Sequence, residues 1–290
     1  MSRNESAAIQ REIIQALLVA PTIDASAEIE RRVDFLYRYL EQAKARALVL
    51  GISGGVDSSV AGRLAQLAVE RARGSSGDDG PRFFAVRLPH GRQQDADDAR
   101  AALAFIRPDE TLEVDIEGPT RYMDAALDSA GLSFENENQR DFVLGNVKAR
   151  QRMIAQYAIA ARHHGLVVGT DQAAEAVMGF FTKFGDGAAD LTPLFGLNKR
   201  QVRAVGRALG APDAIVEKKP TADLESLRPQ RPDEEALGVT YEQIDAFLEG
   251  REIERDAERI IVDTYERTRH KRTLPAAPAG ISGNTDPHKD

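Results

Sequence analysis

Ser53, Gly54, Gly55, Val56, Asp57 and Ser58 follow a short apolar run, residues 47–52, and precede a helical pattern with Val60, Leu64, Leu67 and Ala68 on one face. A strand, a glycine turn and a helix start present free backbone N–H groups and the positive end of a helix dipole to an anion. Two adjacent glycines let the main chain approach a phosphate closely and take up positive φ. The hydroxyls of Ser53, Ser58 and Ser59 add donors. A carboxylate beside such a cradle repels the ligand unless a cation lies between them, so Asp57 reads as a Mg²⁺ ligand. No lysine occurs between Gly51 and Ser59, which separates this turn from the common P-loop ending in Gly-Lys-Ser/Thr.

The hexapeptide 53–58 resembles the pyrophosphate-binding loop of the N-type ATP pyrophosphatases. These enzymes cleave ATP between the α and β phosphates, adenylate a substrate oxygen, and let a nucleophile displace AMP.

A second group of chemically capable residues lies further on. Gly169-Thr170-Asp171 leads into Glu175. Asp171 suits the cap of a helix opening there, and Glu175 falls one turn along the same face. That face points back toward the glycine turn if both lie at one sheet edge, and Asp57 and Glu175 then share Mg²⁺ bound to ATP phosphates. A capping Asp followed by a solvated Glu is the alternative. Residues 182–190 form a glycine-rich loop with Lys183, Asp186 and Asp190: a phosphate or carboxylate holder with acceptors for ribose or ammonium, or plain turn chemistry. Asn198-Lys199-Arg200-Gln201 reads as a capping box opening a helix. Two cations in that first turn sit at the wrong end for the helix dipole, which points to an anion nearby. Residues 219–238, with Pro220, Pro229 and Pro232, read as a lid in which Thr221 donates to a phosphate.

Positioning these residues requires a particular scaffold. Helices are expected over residues 5–20 and 26–44, either covering a sheet face or forming a subunit contact. Strands are expected at 47–52, 83–88, 112–116 and 166–169. Helices to 73, at 95–106, 119–130 and 146–163 connect them, and a flexible polar turn spans 74–80. Further helices are expected at 198–209, 240–249 and 252–270, and 275–290 as a disordered tail. Strands alternating with helices imply an α/β fold, a doubly wound, mostly parallel sheet flanked by helices, with ligands beyond the carboxyl ends of the strands.

Composition narrows the function. The net charge of −8 argues against nonspecific nucleic-acid binding. No apolar run approaches a membrane span, and no apolar signal core follows the N-terminus. The chain has no cysteine, so disulfides are excluded, a reducing cytoplasm is the default, and there is no thiol nucleophile for releasing ammonia from glutamine.

Taken together, residues 51–59, Leu88-Pro89-His90-Gly91 with Gln93-Gln94-Asp95, 145–150, 169–175, 180–190, 219–224 and His270-Lys271 closely resemble the ammonia-dependent NAD synthetases of bacteria. They run in order from about residue 30 to 275. The resemblance implies one adenine nucleotide alpha hydrolase-like domain over 1–274. It implies that the nicotinate carboxylate of deamido-NAD attacks the α-phosphorus of ATP, and that ammonia then displaces AMP to give NAD. It assigns ATP to Gly51, Ile52, Ser53, Gly54, Gly55, Val56, Asp57, Ser58, Thr170, Lys199 and Thr221, with Arg87 beside the adenine. It assigns deamido-NAD to Arg150, Lys183, Asp190, His270 and Lys271, and Mg²⁺ to Asp57 and Glu175. Asp57, Lys183 and Asp186 are the candidates for catalysis, with Asp186 near the ammonia or the nicotinate ring. The family is homodimeric, and helix 146–163 is the candidate contact, with Met153, Ile154 and Tyr157 packing. Alternative readings are another ATP pyrophosphatase, acting on a nucleobase, an amino acid or a tRNA base, and a nonenzymatic nucleotide sensor. The charge balance disfavours the tRNA base, and the retained carboxylates and lysines disfavour the sensor.

Overall fold

A computed structural model describes residues 3–76, 80–91, 96–222, 224–229, 231–273 and 275. Its centre is a four-stranded parallel sheet in the order β3-β2-β1-β4. The strands are β1 (Ala47–Gly51), β2 (Arg82–Arg87), β3 (Glu110–Glu113) and β4 (Gly165–Val167). Leu48 pairs with Phe83 on one side and Leu166 on the other. The strand order reverses at β1: the chain builds outward through β2 and β3, then returns to the far side with β4. In such sheets the crevice at the reversal is where ligands bind.

Alternation along β1 divides the core between the two faces. Leu48 and Leu50 pack with α2 (Ala25–Gln42) and α3 (Val56–Ser76), through Val33, Leu36, Leu40, Val60 and Leu64. Ala47 and Val49 face the other way, toward Phe84, Val86, Ile116 and Ala160. α4 (Ala96–Ile106) joins the first face, while α5 (Glu117–Ser129) and α6 (Glu137–Arg162) lie on the second. α2 starts cleanly because Asp24 accepts from Ser26 N and Ala27 N. A third apolar cluster joins α1 (Arg3–Ala16) to α7 (Ala173–Met178), α11 (Tyr241–Leu248) and α12 (Arg255–Arg267), through Ile13, Leu17, Val177, Phe247 and Ile261. The two N-terminal helices therefore part company: α2 covers the sheet, whereas α1 braces the C-terminal helices. The remaining elements are α8 (Lys199–Ala208), α9 (Asp213–Val216), β5 (Thr221–Ala222), β6 (Arg231–Pro232), α10 (Asp233–Leu237) and a 3₁₀ turn, Arg269–Lys271.

Several boundaries differ from the sequence reading. β3 is Glu110–Glu113, not 112–116; beyond it Val114 N and Ile116 N still donate to Arg87 O and Pro89 O, so the apolar residues extend the pairing without regular strand geometry. α6 begins nine residues early, at Glu137, because Asn136 Oδ1 accepts from Gln139 N and caps a polar, solvent-facing first turn. Gly74, Ser75 and Ser76 finish α3 instead of opening a turn. Within 219–238, β5 and β6 pair antiparallel, Thr221 with Pro232 and Ala222 with Arg231, and α10 follows, while residues 224–229 between the two strands are irregular. Residues 77–79, Gln93-Gln94-Asp95, Asp223 and the tail beyond Pro275 lie outside the described residues. Among the described residues no helix is long and apolar enough to cross a membrane.

Candidate active site

The glycine turn leaves β1 at the strand reversal. Gly54 has φ +81, and a Cβ there would stand 2.8 Å from Ala99 N and 2.8 Å from the Asp98 carbonyl carbon. Glycine is thus required twice, for the left-handed backbone and for the approach of α4. Gly51 N donates to Gln156 Oε1 of α6 at 2.7 Å. The hydroxyls are largely engaged inside the turn: Ser58 and Ser59 both donate to Gly55 O, and Ser53 Oγ lies 3.1 Å from Ser58 Oγ. Ser53 is exposed, and the first N–H groups of α3 have no acceptor within their helix. The cradle is therefore mainly backbone.

Asp57 and Glu175 do converge, and Lys199 lies between them. Lys199 Nζ is 2.5 Å from Asp57 Oδ2 and 3.7 Å from Glu175 Oε1. Lys199 is 2% exposed. Burial works to lower its pKa, but the charges of Asp57 and Glu175 outweigh burial and raise it, so the buried ammonium stays protonated. Burial first, then Asp57, drives Glu175 well above the ordinary carboxylate range, against the pull of Lys199. Asp57 Oδ1 is buried and has no hydrogen-bond partner.

Two further acids belong to this site. Asp171 does not cap α7; that role falls to Gln172, whose side chain accepts from Ala174 N. Asp171 is pushed up to about 7, by burial first and then by Asp186 and Asp57. Asp186 accepts from Thr182 N at 2.9 Å. It is open to solvent yet has protein around most of it, and this crowding raises its pKa against the pull of Lys271 and Arg152. Asp57, Asp171, Glu175 and Asp186 thus cluster beyond the carboxyl edge of the sheet, three of them with raised pKa values, a pattern that marks a functional site. Among the described residues, no three His, Asp or Glu side chains converge tightly enough to hold a metal by themselves.

The other sequence-derived residues fall into groups. Arg150 Nη2 donates to Lys183 O at 3.3 Å, and Lys183 Nζ donates to His270 O. Lys271 Nζ donates to Gly179 O and Phe181 O, both at 2.8 Å. These four form one connected patch beside Asp186. Asp190 stands apart from it, its carboxylate accepting from Val167 N at 2.7 Å and Tyr157 OH at 3.4 Å. Thr170 is half-buried at the end of β4, and Thr221 is exposed on β5. Arg87, at the end of β2, pairs with Glu113 at 2.6 Å. The anion inferred near the start of α8 is the protein's own: Asp57 and Glu175 for Lys199, Glu249 and Glu242 for Arg200. The basic run 267–272 does more than end α12. Lys271 and Arg272 donate to the carbonyls of Gly179, Phe181 and Ala176, and so hold the C-terminal end of the helix that carries Glu175. Arg152 and Tyr241 were not legible as site residues, since nothing local distinguishes them from a surface cation and a core aromatic, and Asp171 was legible only as a cap within the 169–175 stretch.

The NAD synthase family profile matches residues 28–275. The chain is 61% identical over 281 residues to the NH(3)-dependent NAD(+) synthetase of Streptomyces coelicolor, spanning 96% of this chain and 100% of that protein. The crystal structure of NAD+ synthetase from Burkholderia pseudomallei superposes with a TM-score of 0.81 at 58% identity, covering 95% of this chain and 100% of that one. The NMN synthetase of Francisella tularensis superposes with a TM-score of 0.77 at 33% identity, covering 89% and 100%. Alignment of this extent, over a sheet whose reversal gathers the acids and the buried lysine, shows that the chain belongs to the NAD synthase family.

Proposed function

We propose that this enzyme joins free ammonia to the nicotinate carboxylate of deamido-NAD, using ATP, to give NAD, AMP and pyrophosphate. The observation that carries the reading is the Asp57–Lys199–Glu175 constellation beside the glycine turn. A carboxylate is a poor acceptor for ammonia because oxide would have to leave. In the first step a carboxylate oxygen attacks the α-phosphorus of ATP and the bond to pyrophosphate breaks. In the second, the ammonia nitrogen attacks the activated carbonyl carbon, AMP leaves with the former carboxylate oxygen, and the nitrogen loses a proton.

Within the 51–58 loop, where Gly51 N, Ile52 N, Ser53 N and Gly55 N already donate inside the protein, the first N–H groups of α3 are the backbone donors for the departing pyrophosphate. Lys199, protonated and buried, stands ready to pair with phosphate oxygens, with Thr170 and Thr221 as hydroxyl donors and Arg87 beside the adenine. Arg150, Lys183, His270 and Lys271 supply the cationic patch for deamido-NAD, and Asp190 an acceptor. Asp186 belongs to the ammonia and nicotinate end, where a carboxylate of raised pKa suits binding or deprotonating a small nitrogen base.

Asp57 and Glu175 would hold Mg²⁺. The fit rests on the partnerless, buried Asp57 Oδ1 and on two acids that only a lysine now neutralises. Two carboxylates with the remaining positions left to phosphate and water is the usual Mg²⁺ arrangement in ATP-using sites. When bound, the ion supplies charge neutralisation as the phosphoryl bonds break.

We further propose a homodimer through α6, where Ile154 is 53% and Phe142 59% exposed, with Met153 and Tyr157 half-buried beside them. A cytoplasmic setting fits a chain without cysteine. The reading is tested by incubating the purified chain with ATP, Mg²⁺, deamido-NAD and ammonium. NAD and AMP should form one for one, and glutamine should not replace ammonium. The mononucleotide counterpart of deamido-NAD, offered as competitor, should be the poorer acceptor; the reverse preference, or no AMP, would contradict the reading.

A further inference from the structure

Lys199 is the first residue of α8, and α8 alone does not hold it. Lys199 N and Arg200 N both donate to the carboxylate of Asp245, at 3.0 and 2.8 Å. Asp245 is 3% exposed and comes from α11. With Gln201 N donating to Asn198 Oδ1, the first three N–H groups of α8 are all satisfied, two of them by another helix. At the far end of the same side chain, the ring of Tyr241 lies 4.9 Å from Lys199 Nζ. Tyr241 and Asp245 are four residues apart on α11 and share a face. The Tyr241 hydroxyl donates to Asp233 Oδ2 at 3.1 Å, and Asp233 N donates to Pro220 O at 3.2 Å, next to Thr221.

We infer that Tyr241 and Asp245 are positioning residues for the ATP site: Asp245 fixes where the Lys199 side chain begins, and the Tyr241 ring fixes where its ammonium ends. The inference rests on the proposed encounter of Lys199 with ATP phosphates. A lysine has a flexible four-carbon stem and a point charge with no preferred direction, so a buried one is placed only by what surrounds it. Asp57 and Glu175 alone would draw the ammonium toward the metal position and hold it there. An aromatic face attracts a cation without adding formal charge, and so keeps the ammonium in place whether its anionic partner is carboxylate or phosphate. The Asp233 bond ties that ring to the base of the β5–β6 segment, so the Thr221 side of the site and the Lys199 side share one support.

The test is calorimetric ATP affinity with Mg²⁺ present, measured beside the melting temperature, for wild type, Asp245→Asn, Tyr241→Leu, Tyr241→Phe and Thr240→Ala. Thr240→Ala removes the α11 cap, whose Oγ1 accepts from Gln243 N, without touching Lys199, and serves as the stability control. Asp245→Asn and Tyr241→Leu should each weaken ATP binding about tenfold, as expected for loss of a directly coupled neighbour. Tyr241→Phe, which keeps the ring, should stay within about threefold of wild type, and Thr240→Ala should bind ATP normally despite its lower melting temperature. Should Asp245→Asn not fold, the two Tyr241 variants carry the same comparison. ATP affinity that tracks melting temperature across the set, or that no variant changes, would overturn the inference. The expected pattern in a chain that makes no NAD would uphold it and overturn the reaction assigned above.

Discussion

Lys199 Nζ lies 2.5 Å from Asp57 Oδ2, at the reversal of the sheet and where a metal-binding acid pair was expected to stand open. The lysine keeps two repelling carboxylates together in a buried setting, where removing one partner of an ion pair is far costlier than replacing the whole group.

Lys199→Met should therefore destabilise the nucleotide-free protein by about 3–5 kcal/mol, read as a lower melting temperature. Adding Mg²⁺ without ATP should restore part of this loss in the variant and change the wild type little, because only the variant leaves the acid pair without a cation. Equal effects of Mg²⁺ on both proteins would mean that the lysine and the metal do not share a place.

Asp171→Asn tests the acid cluster. The folded-state carboxyl titrates near 7 against an ordinary value of 3.8, so its stabilising protonated form is complete below about 3.8 and is lost as pH rises through 7. The asparagine variant escapes that loss. Its stability relative to wild type should climb with pH, by up to about 4 kcal/mol between acid and mildly alkaline solution in denaturant titrations. A difference independent of pH would show that Asp171 ionises freely.

The glycine turn and Asp57 were legible because they combine a buried strand, two glycines and a misplaced carboxylate within a few residues. The convergence of Asp57 with Glu175 followed from parallel-strand topology. The lysine between them did not: Lys199 gave only the hint of a cation at the wrong end of a helix, and the anions that explain it come from residues 57, 175 and 245. Within 219–238 the short β5–β6 pair was not legible because three prolines suppress periodic signals, although Pro232 can sit on a two-stranded edge without donating a hydrogen bond. Asp171 misled because an acid before a helix is ordinarily its cap, and here Gln172 takes that position one residue later.

Lys271→Met removes two charge-assisted hydrogen bonds to Gly179 O and Phe181 O. Denaturant midpoints should report a loss of about 2–3 kcal/mol. The KM for deamido-NAD should rise more than the KM for ATP, since Lys271 adjoins Lys183 and His270 in the patch proposed for deamido-NAD. A uniform rise in both would reduce Lys271 to a strap.

Gly54→Ala adds a methyl at φ +81 against the main chain of Asp98 and Ala99. The left-handed conformation alone costs about 1–2 kcal/mol for a non-glycine residue, and the main-chain clash adds to it. Thermal stability and ATP affinity should both fall, whereas Gly55→Ala, whose Cβ would meet only Ser53 Oγ at 3.4 Å, should retain stability. Equal stability of the two variants would contradict the close packing of α4 on the turn.

The most direct measurement follows the oxygen. Deamido-NAD carrying ¹⁸O in its nicotinate carboxylate is converted with ATP, Mg²⁺ and ammonium, and the products are analysed by mass. Attack by that carboxylate on the α-phosphorus places one labelled oxygen in AMP and none in pyrophosphate. Label in a phosphate product other than AMP, or unlabelled AMP accompanying NAD, would contradict adenylation at this site.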